Sequence, residues 1–203
     1  NHHMFCRTCL EDYFDKKKKI EEENGRLKNE NTRLKSRVTA LEENNVYVFN
    51  RGDHPMMIFN SNGEFLDSWG EGIFVRPHGI SKGPGNTLYC TDDGDHTVRQ
   101  CTLDGKILMT IGIPGKAATA FSGNPFNRCT HTATDPSNGD IFVTDGYGNS
   151  RIHKYSADGE LIQSWGEPGT GEGEFNIVHN IATDKDGYLY VCDRENHRIQ
   201  VFN

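Results

Sequence analysis

Residues 141–166 read IFVTDGYGNSRIHKYSADGELIQSWG, from Ile141 to Gly166, and this stretch decides the fold. An apolar run, Ile141 to Thr144, ends on Asp145, and a turn rich in Gly and Asn follows. Arg151 to Tyr155 then reads as a second strand, Asp158-Gly159 as a hairpin, and Leu161 to Trp165 as a third strand. Short β-branched and aromatic runs bounded by Asp, Asn and Gly are strands joined by tight turns. An Asp-Gly or Asn-Gly pair between two such runs is a type I′ hairpin signal. The unit recurs. A first copy holds Val46 to Asn50, Met56 to Phe59, Asn62-Gly63 and Phe65 to Trp69; a second holds Leu88 to Asp92, Val98 to Cys101, Asp104-Gly105 and Ile107 to Ile111; a last begins Leu189 to Asp193. The equivalent turn residues Asn50, Asp92, Asp145 and Asp193 stand roughly 40 to 50 residues apart, the period of a propeller blade. Inner strands precede the later copies at His78-Gly79-Ile80, Thr130 to Thr134 and His179 to Ala182.

The expected architecture is therefore mainly β, a partial propeller of about four blades over residues 46–203. The first blade lacks its inner strand and the last its outer one, so the usual ring does not close. Exposed strand edges and a piece of a longer protein are the expectation. Before Asn44 the composition is charged and helix-forming. Ile20, Leu27, Leu34 and Leu41 recur every seventh residue, with Asn24, Asn31 and Val38 between them. Glu23 with Lys28, Glu30 with Lys35, and Arg37 with Glu42 flank that stripe with opposite signs. Residues 16–45 then form a helix, with a homodimeric coiled coil through residues 20–41 as one reading and a solvated single helix as the other.

Of the 203 residues, 34% are hydrophobic and 22 are Gly, as strands with many turns require. The net charge of −7 argues against a nucleic-acid partner. No apolar run approaches the ~18 residues of a membrane span. Cys90, Cys101, Cys129 and Cys192 lie in or beside strands and read as buried free thiols. Residues 1–15 include His3-Met4-Phe5-Cys6-Arg7-Thr8-Cys9-Leu10, which resembles the middle of a RING finger. Three of its eight zinc ligands are matched and the flanking Cys pairs are not, so the segment is expected to be metal-free or weakly binding.

The propeller part resembles one branch of the NHL superfamily, the peptidyl-α-hydroxyglycine α-amidating lyases and their bacterial relatives. The resemblance rests on Phe49-Asn50-Arg51-Gly52-Asp53-His54, Arg76-Pro77-His78-Gly79-Ile80, Asp145-Gly146-Tyr147-Gly148-Asn149-Ser150-Arg151, and Asp193-Arg194-Glu195-Asn196 with Arg198-Ile199-Gln200. It implies, for an intact parent protein, a zinc-dependent cleavage of a peptidyl-α-hydroxyglycine to a peptide amide and glyoxylate; the metal cage is incomplete in this piece, which is expected to be inactive by itself. His78 and His179 match two of three zinc histidines, Tyr147 the catalytic tyrosine, and Arg51 and Arg194 the substrate-holding arginines. Ile80 matches a backbone carbonyl ligand of a structural calcium. Two neutral imidazoles and an open position suit a Lewis-acid zinc. The third zinc histidine of the family belongs to a later blade that is expected to be missing here, and His131 does not replace it, because Thr130 rather than His131 falls opposite His179. The disulfide positions of the vertebrate enzymes fall on Asn127 with Gly148 and on Tyr190 with Val201.

Each of these residues also has a plainer reading. His78 and His179 would be bonded to nearby backbone, Tyr147 would cap a turn, Arg51 and Arg194 would pair with Asp53 and Glu195, and Trp69 and Trp165 would pack blades. His54, His96 and His197 recur at comparable turn positions and read as repeat architecture. The long connection from Gly112 to Thr130 is expected to form a lid over the axis. Two other functions fit the order of segments: a ubiquitin-ligase component of the tripartite-motif NHL type, whose propeller binds a protein partner, and a non-catalytic scaffold. A secreted location goes with a lyase, and a cytoplasmic one with a native RING-like start.

Overall fold

The computed structural model describes residues 16–30 and 44–203. Residues 16–30 are helical, with Ile20 and Leu27 exposed. The RING-like segment and the rest of the heptad stretch, residues 31–43, lie outside the described residues.

Sixteen strands follow. The first sheet contains β1 (Val46–Phe49), β2 (Met56–Phe59) and β3 (Phe65–Trp69). The second contains β4 (Pro77–Lys82), β5 (Thr87–Asp92), β6 (Thr97–Thr102) and β7 (Ile107–Ile111). The third contains β8 (His131–Thr134), β9 (Ile141–Asp145), β10 (Arg151–Tyr155) and β11 (Leu161–Trp165). A two-residue parallel pair, β12 (Glu167–Pro168) with β13 (Glu174–Phe175), leads to the fourth sheet. That sheet contains β14 (Val178–Thr183), β15 (Leu189–Asp193) and β16 (Arg198–Phe202). Within each sheet the strands follow chain order and pair antiparallel. These are propeller blades of three, four, four and three strands, with the inner strand absent from the first and the outer from the last among the described residues.

The hairpins differ from expectation in type. Gly63, Gly105 and Gly159 have φ of 82°, 92° and 86°, whereas the residues before them stay at negative φ. A type I′ turn needs positive φ at both central residues. The register shifts by one beside each of these turns, at Ile58/Phe59, Gln100/Cys101 and Lys154/Tyr155. Each connection is therefore a longer turn ending in a left-handed glycine bulge. Side chains at the turn entrances hold it: the Asn60 Oδ1 accepts from Glu64 N at 2.9 Å, and the Thr102 and Ser156 hydroxyls accept from Lys106 N and Glu160 N.

The core lies between blades. Tyr89, Val98, Ile111, Phe126, Ile141 and Val143 fill the seam between the second and third sheets. Phe142, Ile152, Phe175, Val178, Leu189 and Val191 fill that between the third and fourth. Burying each such side chain stabilises by about 1.5–3 kcal/mol, so the seams hold neighbouring blades in fixed relation. Trp69 packs on the next blade, donating its indole N–H to the Leu103 carbonyl at 3.0 Å, and Trp165 stacks edge-on against Phe142; both are blade packing, as read from the sequence. Cys90, Cys101 and Cys129 are buried free thiols, and Cys192 is half-buried. No helix among the described residues is long and apolar enough to cross a membrane.

Candidate functional site

Three buried aspartates set the site's geometry. Asp92, Asp145 and Asp193 end β5, β9 and β15 and are fully buried. Each accepts a hydrogen bond from a backbone N–H just ahead of an inner strand, three residues before His78, Thr130 or His179: Val75 N at 2.6 Å, Asn127 N at 2.9 Å and Asn176 N at 2.7 Å. An ionised carboxylate holds such donors strongly. The chain is thereby pinned at one height in three successive blades, and the residues that follow at the same offset are His78, Thr130 and His179.

Two of those positions, His78 and His179, converge on one atom. The Tyr147 hydroxyl lies 3.1 Å from His78 Nε2 and 3.1 Å from His179 Nε2, and the two imidazole centroids are 4.9 Å apart. His78 Nδ1 donates to the Thr130 carbonyl at 2.8 Å, which leaves its Nε2 as an acceptor. Tyr147 has one proton. When it goes to His78, His179 Nε2–H must be the donor in the second bond. Both rings are held neutral. Burial, then the neighbouring His78 and Arg194, pushes His179 down to about 4, and burial is likewise the main cause lowering His78.

The arginines surround this trio. Arg194 opens the short turn Arg194–Asn196 after β15, and its backbone N–H is tied to the Ile177 carbonyl at 3.1 Å. Its guanidinium carbon sits 5.6 Å from the centre of the Tyr147 ring, its Nη1 is 3.5 Å from the hydroxyl, and its Nε donates to Glu195 at 2.8 Å. Arg51 reaches across from the first blade to the Pro77 carbonyl at 2.9 Å and approaches Asp93 at 3.9 Å, rather than pairing with Asp53.

Three residues here escaped the sequence reading as site members: Asp93, Arg76 and Arg128. Asp93 is 1% exposed. The Arg76 fork grips it at 2.7 and 2.5 Å, and Arg128 lies 3.5 Å from it while its guanidinium carbon stands 4.5 Å above the Tyr147 ring centre. A signal existed. The residues after the four turn positions are Arg51, Asp93, Gly146 and Arg194, and those two before His78, Thr130 and His179 are Arg76, Arg128 and Ile177.

Other expectations sort differently. His131 starts β8 with its ring against Gly79, and its Nδ1 is buried without a partner. Ile80 pairs with Cys90 in the β4–β5 ladder and packs against the core of the first seam. His96 and His197 share left-handed backbone at equivalent turns, and Ser150 takes that place in the third blade. His54 departs from the series and bonds Glu71 at 2.5 Å. Asn127 and Gly148 are joined by a 3.0 Å backbone bond, and Tyr190 is the register partner of Val201. The connection from Gly112 to Thr130 is fastened along its length. Phe126 is buried in the core, Phe121 N donates to the Gly148 carbonyl at 2.9 Å, and Asn149 Nδ2 donates to the Asn124 carbonyl at 2.6 Å. Phe121 also joins Tyr147, Ser150, Pro168 and Ile177 in lining an open cavity of about 520 Å³.

A zinc ion fits this donor set in part. His78 and His179 aim their Nε2 atoms at the Tyr147 hydroxyl, and the second nitrogen of His78 is anchored on a carbonyl, the usual arrangement behind a metal-bound imidazole; His179 would join it as a ligand only in the tautomer that carries its hydrogen on Nδ1. Among the described residues, no three His, Cys, Asp or Glu side chains gather at one position. Calcium, which takes six to eight oxygen ligands, finds no carboxylate cluster beside the Ile80 carbonyl among the described residues.

The family model described as NHL repeat matches residues 126–155 and 175–202. The chain carries NHL repeats. It is 36% identical over 171 residues to the human "NHL repeat-containing protein 3", covering 78% of this chain and 48% of that protein. It is also 36% identical over 152 residues to the "Peptidyl-alpha-hydroxyglycine alpha-amidating lyase 1" of Drosophila melanogaster, covering 69% of this chain and 27% of that one. The chain thus spans about half the length, or less, of these relatives. Among solved structures, the virginiamycin B lyase of Staphylococcus aureus is 16% identical with a TM-score of 0.53, over 78% of this chain and 52% of the other, a likeness of fold.

Proposed function

We propose that the NHL blades carry the catalytic groups of a zinc-dependent lyase that splits a peptidyl-α-hydroxyglycine into a peptide amide and glyoxylate. The observation that carries this reading is the Tyr147 hydroxyl, 3.1 Å from the Nε2 atoms of two histidines supplied by different blades. Two inner-strand histidines, a tyrosine between them and two flanking arginines are a sparse set on a scaffold. They match the resemblance residue by residue, and a relative 36% identical is named for that activity.

In this reading Arg51 and Arg194 bind the substrate carboxylate, a task suited to planar, permanently charged forks. Tyr147 accepts the proton of the substrate's α-hydroxyl and gives its own O–H proton to the departing nitrogen, so the tyrosine ends as it began. As the carbonyl forms, the carbon–nitrogen bond breaks, its electron pair stays on nitrogen, and the proton from Tyr147 completes the amide. His78 and His179 would hold zinc, which when bound supplies Lewis acidity at the substrate oxygen. The third protein donor of such a zinc is not among the described residues.

The test is glyoxylate release from a peptide ending in α-hydroxyglycine, using the full chain with added zinc. Release that stops with a chelator, or with His78→Ala, supports the reading. Absence of glyoxylate at saturating zinc and peptide sinks it.

A further inference from the structure

The seam beside Tyr147 holds more positive charge than the proposed cleavage uses. Among the described residues, Arg51, Arg76, Arg128 and Arg194 face only Asp93 and Glu195 in the ion pairs around the site. A local surplus of positive charge raises the concentration of an anionic ligand beside it. One carboxylate, that of the hydroxyglycine end, is taken by Arg51 and Arg194 in the reading above. Arg76 spends its fork on Asp93, with Nε at 2.7 Å and Nη2 at 2.5 Å.

Arg128 is placed differently. Its backbone is left-handed, with φ of 64°, a conformation that costs a residue bearing a Cβ roughly 1–2 kcal/mol. Its own N–H is spent on His96 Nδ1 at 3.1 Å, which holds that conformation. The guanidinium is carried over the Tyr147 ring at 4.5 Å, touches Asp93 with one nitrogen at 3.5 Å, and keeps a buried Nε with no acceptor. Backbone strain that places a donor-rich side chain beside the reacting group is the kind that persists at binding sites.

We infer that Arg128, oriented by Asp93 and backed by Arg76, binds a second carboxylate on the substrate: the side chain of an Asp or Glu immediately before the hydroxyglycine. The choice of residue follows from position, since Arg128 stacks on Tyr147 and the preceding residue carries the side chain nearest the reacting carbon. The inference deepens the lyase reading and rests on it for the identity of the peptide.

Calorimetric titration of the full chain with N-acetyl-Glu-Gly and N-acetyl-Gln-Gly, two peptides differing by one charge, tests it. The Glu peptide is expected to bind about tenfold more tightly, as a charge-assisted contact gives, with the gap narrowing at high salt. Arg128→Gln should bring the two affinities within about twofold, and Arg128→Lys, which keeps the charge but loses the fork, should give a middling preference. Both variants are checked for an unchanged thermal midpoint. Equal binding of the two peptides, binding of neither, or a Glu preference that survives Arg128→Gln overturns the inference. The matching α-hydroxyglycine peptides separate the two claims. Glyoxylate from both without preference leaves the lyase and removes the acidic subsite, whereas a Glu preference in binding with no glyoxylate leaves the subsite and removes the lyase.

Discussion

At the scale of single residues the site is a question of protons. Tyr147→Phe keeps the ring under Arg128 and removes only the hydroxyl shared by two imidazoles. Glyoxylate release should fall by about 10²- to 10⁴-fold, the usual worth of a positioned base, with peptide affinity little changed; a variant retaining a tenth of the rate would exclude Tyr147 as the base. His179 supplies a second check, in the metal-free chain. Its ordinary value of 6.5 applies when unfolded and about 4 when folded, so between those values the unfolded state binds more protons. The stabilisation is therefore complete above 6.5 and is lost as pH falls toward 4, and burial shifts His78 in the same direction. Thermal midpoints measured from neutral to acid pH should fall across that window, and His179→Gln should flatten the fall. A slope identical to the parent's would show that His179 is not buried as described.

At the scale of elements the seams decide whether the trio exists. A methyl group added at Gly146 would overlap the Val178 carbonyl oxygen, which is also an acceptor for the Thr130 hydroxyl at 3.2 Å. Gly146 precedes Tyr147 and Val178 precedes His179, so Gly146→Ala should prise the two blades apart where they share the site. Overpacking of this kind costs about 1–3 kcal/mol. Gly63→Ala costs a similar ~1–2 kcal/mol for a different reason, a φ of 82° in open space. Denaturant melts alone will not separate them, but glyoxylate release will: lost with Gly146→Ala, kept with Gly63→Ala. The strands themselves were legible because alternation and Asp-Gly or Asn-Gly punctuation are local. Ile141–Asp145, Arg151–Tyr155 and Leu161–Trp165 lie where the sequence placed them. The turn class was not legible, because Asn-Gly fits both a two-residue turn and a longer one with a bulge, and the choice is made by side chains such as Asn60 at the turn entrance. Asp93 and Arg128 were missed for a related reason. Their roles come from contacts between residues 17 or more positions apart, Arg76 with Asp93 within the second blade and Arg128 with Asp93 across the seam, and the sequence spacing of those residues does not show that they pair. The fastened 112–130 connection likewise depends on partners in the next blade's turn.

At the scale of the whole molecule, two of the exposed apolar surfaces differ in what would cover them. On the helix, Ile20 and Leu27 are 60% and 50% exposed, one heptad apart, on a segment whose flanking charges suit a second parallel copy. On the fourth sheet, β16 pairs with β15 alone among the described residues, and Ile199 and Val201 are exposed along it. A strand with a free edge offers unpaired N–H and C=O groups to any other strand, which makes association there open-ended, whereas a heptad pair closes at two chains. The two should therefore separate in sedimentation velocity. Ile20→Lys with Leu27→Lys is expected to turn a dimer into a monomer. Val201→Lys is expected to leave the dimer and remove larger species that grow with concentration, since edge lysines block strand pairing. A parent chain that sediments as one monomeric species at every concentration would mean that neither surface is used, and the heptad stripe would then be a solvated helix face.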